Sequence, residues 1–250
     1  MNQPAVDARQ LTKVYRSGDT EVLAMNAANL AVAHGELLAL VGPSGSGKTT
    51  LLSTIGLIST PSAGRLFIDG RQVLDGPLAL TNLAAFRRRH IGYVFQKSNL
   101  VSFLNARENV EIVLRLNRVG RREAARRATE LLDRLGVVNR ERHYPSSLSS
   151  GQQQRVAIAR ALANQPSLIL ADEPTAALDG ARGRQVIQLF RDAAHHSQAA
   201  VIVVTHDHRV LDLFDRVYSM EDGHLHAEPR CAEAEPSPCS STPDCPPRPA

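Results

Sequence analysis

The stretch Gly42-Pro43-Ser44-Gly45-Ser46-Gly47-Lys48-Thr49-Thr50 constrains this chain more than any other. It fits the phosphate-loop pattern G-x-x-x-x-G-K-[ST], with an extra glycine at Gly45. A polyphosphate is held by backbone N–H groups aimed at its oxygens. Glycines let the backbone come close and adopt positive φ. Lys48 then reaches the terminal phosphates, and the Thr49 hydroxyl ligates Mg²⁺. The flanks agree with this reading. Leu37-Leu38-Ala39-Leu40-Val41 is a short apolar run of the buried-strand type. Thr50 to Ile55 reads as a helix whose N-terminus faces the phosphates. Gly42, Ser44, Gly45, Ser46, Gly47, Lys48, Thr49 and Thr50 are therefore the expected binding residues for a nucleoside triphosphate.

A chain of 250 residues holds one large domain or two lobes with a sizeable core. Aromatics make up 4% and Trp is absent, so the core must be built from Leu, Val, Ile and Ala. A net charge of +4 and a pI near 9.2 permit contact with an anionic surface without requiring it. No apolar run approaches the roughly 18 residues of a bilayer span. Met1 to Thr12 has no apolar signal region, and a soluble cytoplasmic protein is expected. Cys231, Cys239 and Cys245 all fall in a Pro-rich end. Their odd count gives no disulfide framework, and they read as reduced thiols on a disordered tail.

In chain order, residues 9–33 read as short antiparallel strands around a Gly18-Asp19 turn. Residues 64–75, opening on Gly64 to Gly70, read as another short strand ending in a turn. Leu78 to Arg89 looks helical, with Arg87-Arg88-Arg89 at its end, where cations suit the helix dipole. Ile91 to Phe95 is a strand ending at Gln96. Glu108 to Leu116 and Arg122 to Leu135 are helices, the second closed by Gly136 as a C′ residue. Between Arg107 and Arg142 ten arginines face six acids, as a solvated cationic face or one held near anionic lipid headgroups. Gln153 to Ala163 is a helix, Ser167 to Pro174 a buried strand with two acids, and Arg182 to Ala194 a helix. Ala200 to Val204 is a strand, Asp207 to Phe214 a last helical turn or two, and Arg216 to Leu225 a closing hairpin.

Four further stretches narrow the chemistry. Asp172-Glu173 ends an apolar strand, the edge at which open α/β sheets hold ligands. There Asp172 would hold Mg²⁺ through water, and Glu173 would orient or deprotonate the attacking water. An ordinary acidic strand exit is the competing reading. Leu148-Ser149-Ser150-Gly151-Gln152 feeds a helix and makes a second anion site, or a helix simply capped by Ser149 or Ser150. His206 follows an apolar strand and can donate to a terminal phosphate, although a lone strand-end histidine is ordinarily surface. Tyr15 is by spacing a half-buried strand tyrosine. The His206/His208 and His224/His226 pairs lack the partner set of a metal centre.

Gly42 to Thr50, Gln96, Leu148 to Gln152, Leu168 to Glu173, Ala177-Leu178-Asp179 and His206 together resemble the ATPase motifs of ABC transporters. The Leu148 to Gln152 match is the most diagnostic. The resemblance implies an α/β P-loop NTPase fold over residues 1–228. Its parts are a RecA-like core, an antiparallel β subdomain and a helical subdomain near 97–160, followed by a disordered tail over 229–250. It also implies a homodimer that sandwiches ATP and Mg²⁺ between Lys48 of one subunit and Ser149, Ser150, Gly151 and Gln152 of the other. Tyr15 becomes the adenine-stacking residue, Glu173 the catalytic carboxylate and His206 the γ-phosphate sensor. Gln96 joins Thr49 and Asp172 at the metal and couples the site to the partner, while Asp179 communicates across the dimer. Ser150 departs from the family's usual glycine and would carry strain if it needed positive φ.

Ile91 to Gln96, with Asn99 to Val101 and Phe103 to Val110, looks like the branch of macrolide exporters, lipoprotein-release and heterocyst glycolipid-export systems. That branch implies an ATPase on the inner face of the cell membrane, driving a separate integral-membrane permease, with no nucleic-acid partner. The alternatives are the ATPase of an uptake system and a soluble ABC-type ATPase acting on nucleic acid. The latter group usually inserts a long coiled coil, whereas here 53 positions separate Gln96 from Ser149.

Overall fold

Four of the chain's apolar runs are too continuous to have a wet face, and each becomes a strand buried on both sides. They are β3 (Leu37–Val41), β7 (Ile91–Val94), β8 (Leu168–Asp172) and β9 (Ala200–Val204). The computed structural model describes residues 3–18, 20–176 and 180–228. In it these strands lie parallel with β10 (Arg216–Glu221), and β11 (His224–Ala227) closes the edge antiparallel. The sheet order is β11-β10-β3-β9-β8-β7.

Successive side chains of these strands point to opposite faces, so one sheet feeds two cores. Leu38, Leu40, Leu168, Leu170, Ile202 and Val204 pack towards α1 (Lys48–Ile55) and an antiparallel sheet. Ile169, Ala171, Val201 and Val203 pack towards α5 (Ser150–Leu162) and α6 (Gly180–Ser197). The second sheet runs β2-β1-β4-β5-β6, from β1 (Val6–Ser17), β2 (Thr20–Val32), β4 (Ala63–Ile68), β5 (Arg71–Asp75) and β6 (Leu78–Ala79).

A helical lobe follows β7. In α3 (Ala106–Leu116), Ala106, Val110 and Leu114 are buried. In α4 (Arg121–Arg134), Ala124, Ala128 and Leu132 are buried at helical spacing. Gly136 ends α4 at φ 68°, as its C′ position requires.

Three expectations need correction. The short strands over 9–33 are one long hairpin, bent by register shifts beside Gln10 (φ 53°) and Ala27 (φ 47°). Residues 64–75 hold two strands, because Asp69 and Gly70 both take positive φ and fold β4 back on β5. Leu78 does not begin a helix. It pairs with Asp75, and α2 (Leu83–His90) starts only after Asn82, whose side chain accepts from Ala85 N. Propensity alone gave Leu78-Ala79-Leu80 to the helix, and sheet pairing overrode it. The expected disordered tail lies outside the described residues.

Candidate functional site

The phosphate loop joins β3 to α1 with its backbone held from behind. A Cβ on Gly42 would stand 2.2 Å from the Met220 carbonyl oxygen, and one on Gly47 2.2 Å from that of Ala24. With φ of 136° and 107°, neither position admits a side chain. Gly47 is also the N-cap of α1 and brings no side-chain cap, so the first N–H groups of the helix point into the loop. Lys48 is 8% exposed. Its ammonium donates to Gly42 O (2.9 Å), Pro43 O (2.6 Å) and Ser46 Oγ (3.2 Å). Burial lowers its pKa, against the pull of Glu173 and then Asp172.

The strands bring the remaining groups to the same sheet edge. Asp172 closes β8, and Thr49 Oγ1 donates to its Oδ2 at 3.4 Å. Burial raises the Asp172 pKa, the Thr49 hydrogen bond lowers it, neighbouring Glu173 raises it and Lys48 lowers it. Glu173 follows at φ 45°, with its N–H on Val204 O. Its carboxylate is gripped from both sides. Gln96 Nε2 donates to Oε2 at 3.0 Å, and His206 Nδ1 lies 3.2 Å from Oε1. A non-glycine residue held in the left-handed region is strained, and such strain gathers where geometry matters.

Lys48, Thr49, Gln96, Asp172, Glu173 and His206, from four separate stretches of sequence, thus form one cluster. Oxygens of Thr49, Asp172 and Gln96 are hard donors of the kind Mg²⁺ takes.

The other expected residues stand elsewhere. Ser149 caps α5: its Oγ accepts from Gln152 N at 3.3 Å, and Gln152 Oε1 accepts from Ser149 N at 3.0 Å. This capping box faces a separate cavity of about 210 Å³, lined by Ser149, Gly151, Gln152, Arg155 and Arg182 among others. Among the described residues no hydrogen bond joins it to the phosphate loop. Ser150 is the first residue of α5 and is not among the residues with positive φ, so the anticipated strain is absent. Tyr15 is 45% exposed, with the Lys13 ammonium 5.2 Å from its ring centroid. Its partner Val22 is two residues before Ala24, which touches the loop. Asp179 lies outside the described residues.

Sequence reading missed a set of positioning residues. Asn109 is fully buried. It accepts from Val101 N and donates to Val101 O, Leu104 O and Asn105 O, pinning the segment after Gln96. Arg160 donates to Ser98 O (2.9 Å) and Asn99 O (2.7 Å). Ser98 Oγ donates to Gln153 Oε1, and Gln153 Nε2 donates to Pro145 O and Leu148 O. A hydrogen-bonded chain therefore runs from beside Gln96 to the start of α5. The Gln152-Gln153-Gln154 run was its only trace in the sequence.

Comparison with known proteins agrees with this geometry. The ABC transporter family model matches residues 25–176. Macrolide export ATP-binding/permease protein MacB of Pasteurella multocida (strain Pm70) is 40% identical over 228 residues, or 91% of this chain. MacB of Hyphomonas neptunium is 42% identical over 225 residues, or 90% of this chain. The chain spans about a third of these relatives, 35% and 34% of their lengths. The ATP-binding cassette MJ0796, solved as a post-hydrolysis dimer with ADP and Pi, superposes with a TM-score of 0.82 at 39% identity. That match covers 89% of this chain and 97% of MJ0796. CbiO1 from Clostridium perfringens superposes with a TM-score of 0.79 at 27% identity, covering 89% of this chain and 87% of CbiO1. By its matched residues and its fold, this chain belongs to the ABC transporter family and is built as one of that family's ATP-binding cassettes.

Proposed function

We propose that this chain is the ATP-hydrolysing motor subunit of an export or extraction complex, working on a separate integral-membrane permease. The observation that carries the reading is the cluster of Lys48, Thr49, Gln96, Asp172, Glu173 and His206 at the carboxyl ends of β3, β7, β8 and β9. In this reading the γ-phosphate displaces carbonyl oxygens as the partners of Lys48. Thr49, Asp172 and Gln96 would hold Mg²⁺, which supplies charge neutralisation on the phosphates. Glu173 orients water for in-line attack, and His206 donates to the terminal phosphate. Little covalent chemistry is needed, because phosphoryl transfer is governed by positioning and charge.

Ser149 to Gln152 do not reach their own chain's loop, which favours a head-to-tail homodimer in which they cap the neighbour's ATP. Relatives that are named macrolide exporters favour export over uptake. No helix among the described residues is long and apolar enough to cross a membrane, so the permease is taken to be another polypeptide or segment. The proposed place of work is the inner face of the membrane.

Purification from membranes with the native partner tests this reading. The co-purifying permease is expected to stimulate ATP turnover, and Lys48→Ala to abolish it. Stimulation by nucleic acid with no membrane partner would support the soluble alternative instead.

A further inference from the structure

The basic excess expected over residues 107–142 is partly consumed inside that segment. Arg107 stands 2.8 Å from Glu111 and 3.5 Å from Glu141, and Arg126 and Arg127 share Glu123. The hydrogen bonds from Arg126 and then Arg127 hold the Glu123 carboxyl down at about 2. Cationic side chains without an acid gather elsewhere. Arg71 from β5, Arg88 and Arg89 from the last turn of α2, and Arg118 just after α3 line one cavity of about 350 Å³, with His90 and Asn117. No Asp or Glu lines it. The Arg88, Arg89 and Arg118 guanidiniums have no hydrogen-bond or ion-pair partner among the described residues.

The cavity is held in shape. Arg71 donates to Thr81 Oγ1 at 3.2 Å and lies 6.0 Å from the Phe86 ring centroid. Asn117 Nδ2 donates to Arg88 O at 2.8 Å, and Asn164 Nδ2 donates to the same oxygen at 3.2 Å. These bonds tie the ends of α3 and α5 to the end of α2. The two helix C-termini bring about half a negative charge each. Asp69 stands behind His90 at 3.3 Å. Four guanidiniums outnumber these, and the guanidinium fork matches a phosphate bidentately.

The place excludes the nucleotide already assigned. His90 directly precedes the first residue of β7, so the cavity opens at the amino ends of the parallel strands, opposite the phosphate loop. Its rim is apolar. Leu116, in the lining, is 60% exposed, and Leu78 and Leu80, just before Thr81, are 60% and 44% exposed. Exposed leucines beside unpaired arginines fit a ligand with a phosphate at one end and hydrocarbon at the other. We propose that this cavity binds the phosphate of an anionic lipid headgroup and seats the chain on the membrane surface by a contact separate from any permease.

Cosedimentation of the full chain with phosphatidylcholine vesicles containing phosphatidylglycerol, without nucleotide, tests this. Binding is expected to rise with phosphatidylglycerol. Arg88→Glu/Arg89→Glu should lower it by more than roughly thirtyfold, since losing two basic side chains worth a factor of about five each already gives that and the new carboxylates add repulsion. Arg118→Glu, on a different segment, should lower it as well. Arg121→Glu/Arg122→Glu, which reverses the same charge at the start of α4, should change it only slightly, and all three should keep the wild-type Tm. Equal loss in the two double variants would mean general basicity and would overturn the assignment, as would binding indifferent to phosphatidylglycerol. Pyrophosphate bound in solution and lost in Arg88→Glu/Arg89→Glu, without vesicle binding, would move the ligand from lipid to free phosphate and overturn the lipid assignment. Capture of a labelled RNA in place of vesicles would overturn it too. The vesicles carry neither ATP nor permease, so failure here is distinguishable from failure of the exporter reading.

Discussion

Glu173 and Asp172 are neighbours in sequence with opposite demands. Glu173, at φ 45° between Gln96 and His206, is a fixed hydrogen-bond acceptor. Replacing it as Glu173→Gln keeps the shape and removes the proposed base. Turnover should fall about 10²–10⁴-fold, with ATP affinity within a few-fold of wild type by equilibrium titration. Turnover at the wild-type rate would remove Glu173 from the reaction. Asp172 carries a net burial penalty on its charge. Its folded-state pKa lies above the unfolded one, so the penalty is absent below the ordinary carboxylate range and grows as pH rises through the elevated value. Asp172→Asn should therefore raise the Tm of the metal-free, nucleotide-free chain by about 2 °C at neutral pH, and the gain should vanish below about pH 3. Scanning calorimetry at both pH values checks the sign. The same variant should lose magnesium-dependent turnover, because the carboxylate is one of the three proposed metal donors.

At the scale of elements, α5 and the segment after β7 are held together by side chains outside the Lys48 to His206 cluster. Asn109 makes four hydrogen bonds from a fully buried position. Asn109→Ala should cost about 2–3 kcal/mol, since it leaves buried backbone groups unpaired. It should also lower coupling between permease and ATP turnover more than ATP affinity. Urea unfolding gives the first quantity, and permease-stimulated against basal turnover gives the second. At the start of α5, Ser149→Ala removes one arm of the capping box and should cost about 1 kcal/mol. It should weaken ATP-driven dimerisation beyond that loss if the helix start also caps the neighbour's phosphate. The arginines of α4 read in sequence as a cationic face, yet Arg126 and Arg127 are spent on Glu123 and Glu130 at helical spacing. The i, i+3 and i, i+4 pairs were visible in the sequence. What was not visible is that arginines with no acidic partner among the described residues, on β5, on α2 and after α3, converge on one cavity.

For the whole molecule, the decisive quantity is the separation of the two helix starts proposed to bind phosphate. One faces the phosphate loop, and the other opens on its own cavity beside Arg155 and Arg182. On the proposed reading a complete site then needs two copies. Light scattering of Glu173→Gln with MgATP should show the mass of a dimer, and Lys48→Ala under the same conditions that of a monomer. A monomer in both would sink the sandwich.

The residues alone determined the phosphate loop, the four buried strands and the acids at the end of β8, because each is written in contiguous sequence as a glycine spacing or an apolar run. They also determined the end of α4, through Gly136 as its C′ residue. Tertiary structure decided what depends on meetings between distant segments. Examples are the pairing of Leu78 with Asp75, the grip of Gln96 and His206 on Glu173, the Asn109 network, and the arginine cavity. Local propensity is a property of neighbours in the chain, whereas a hydrogen bond between residues 77 positions apart, as between Gln96 and Glu173, exists only once the sheet has set both at one edge.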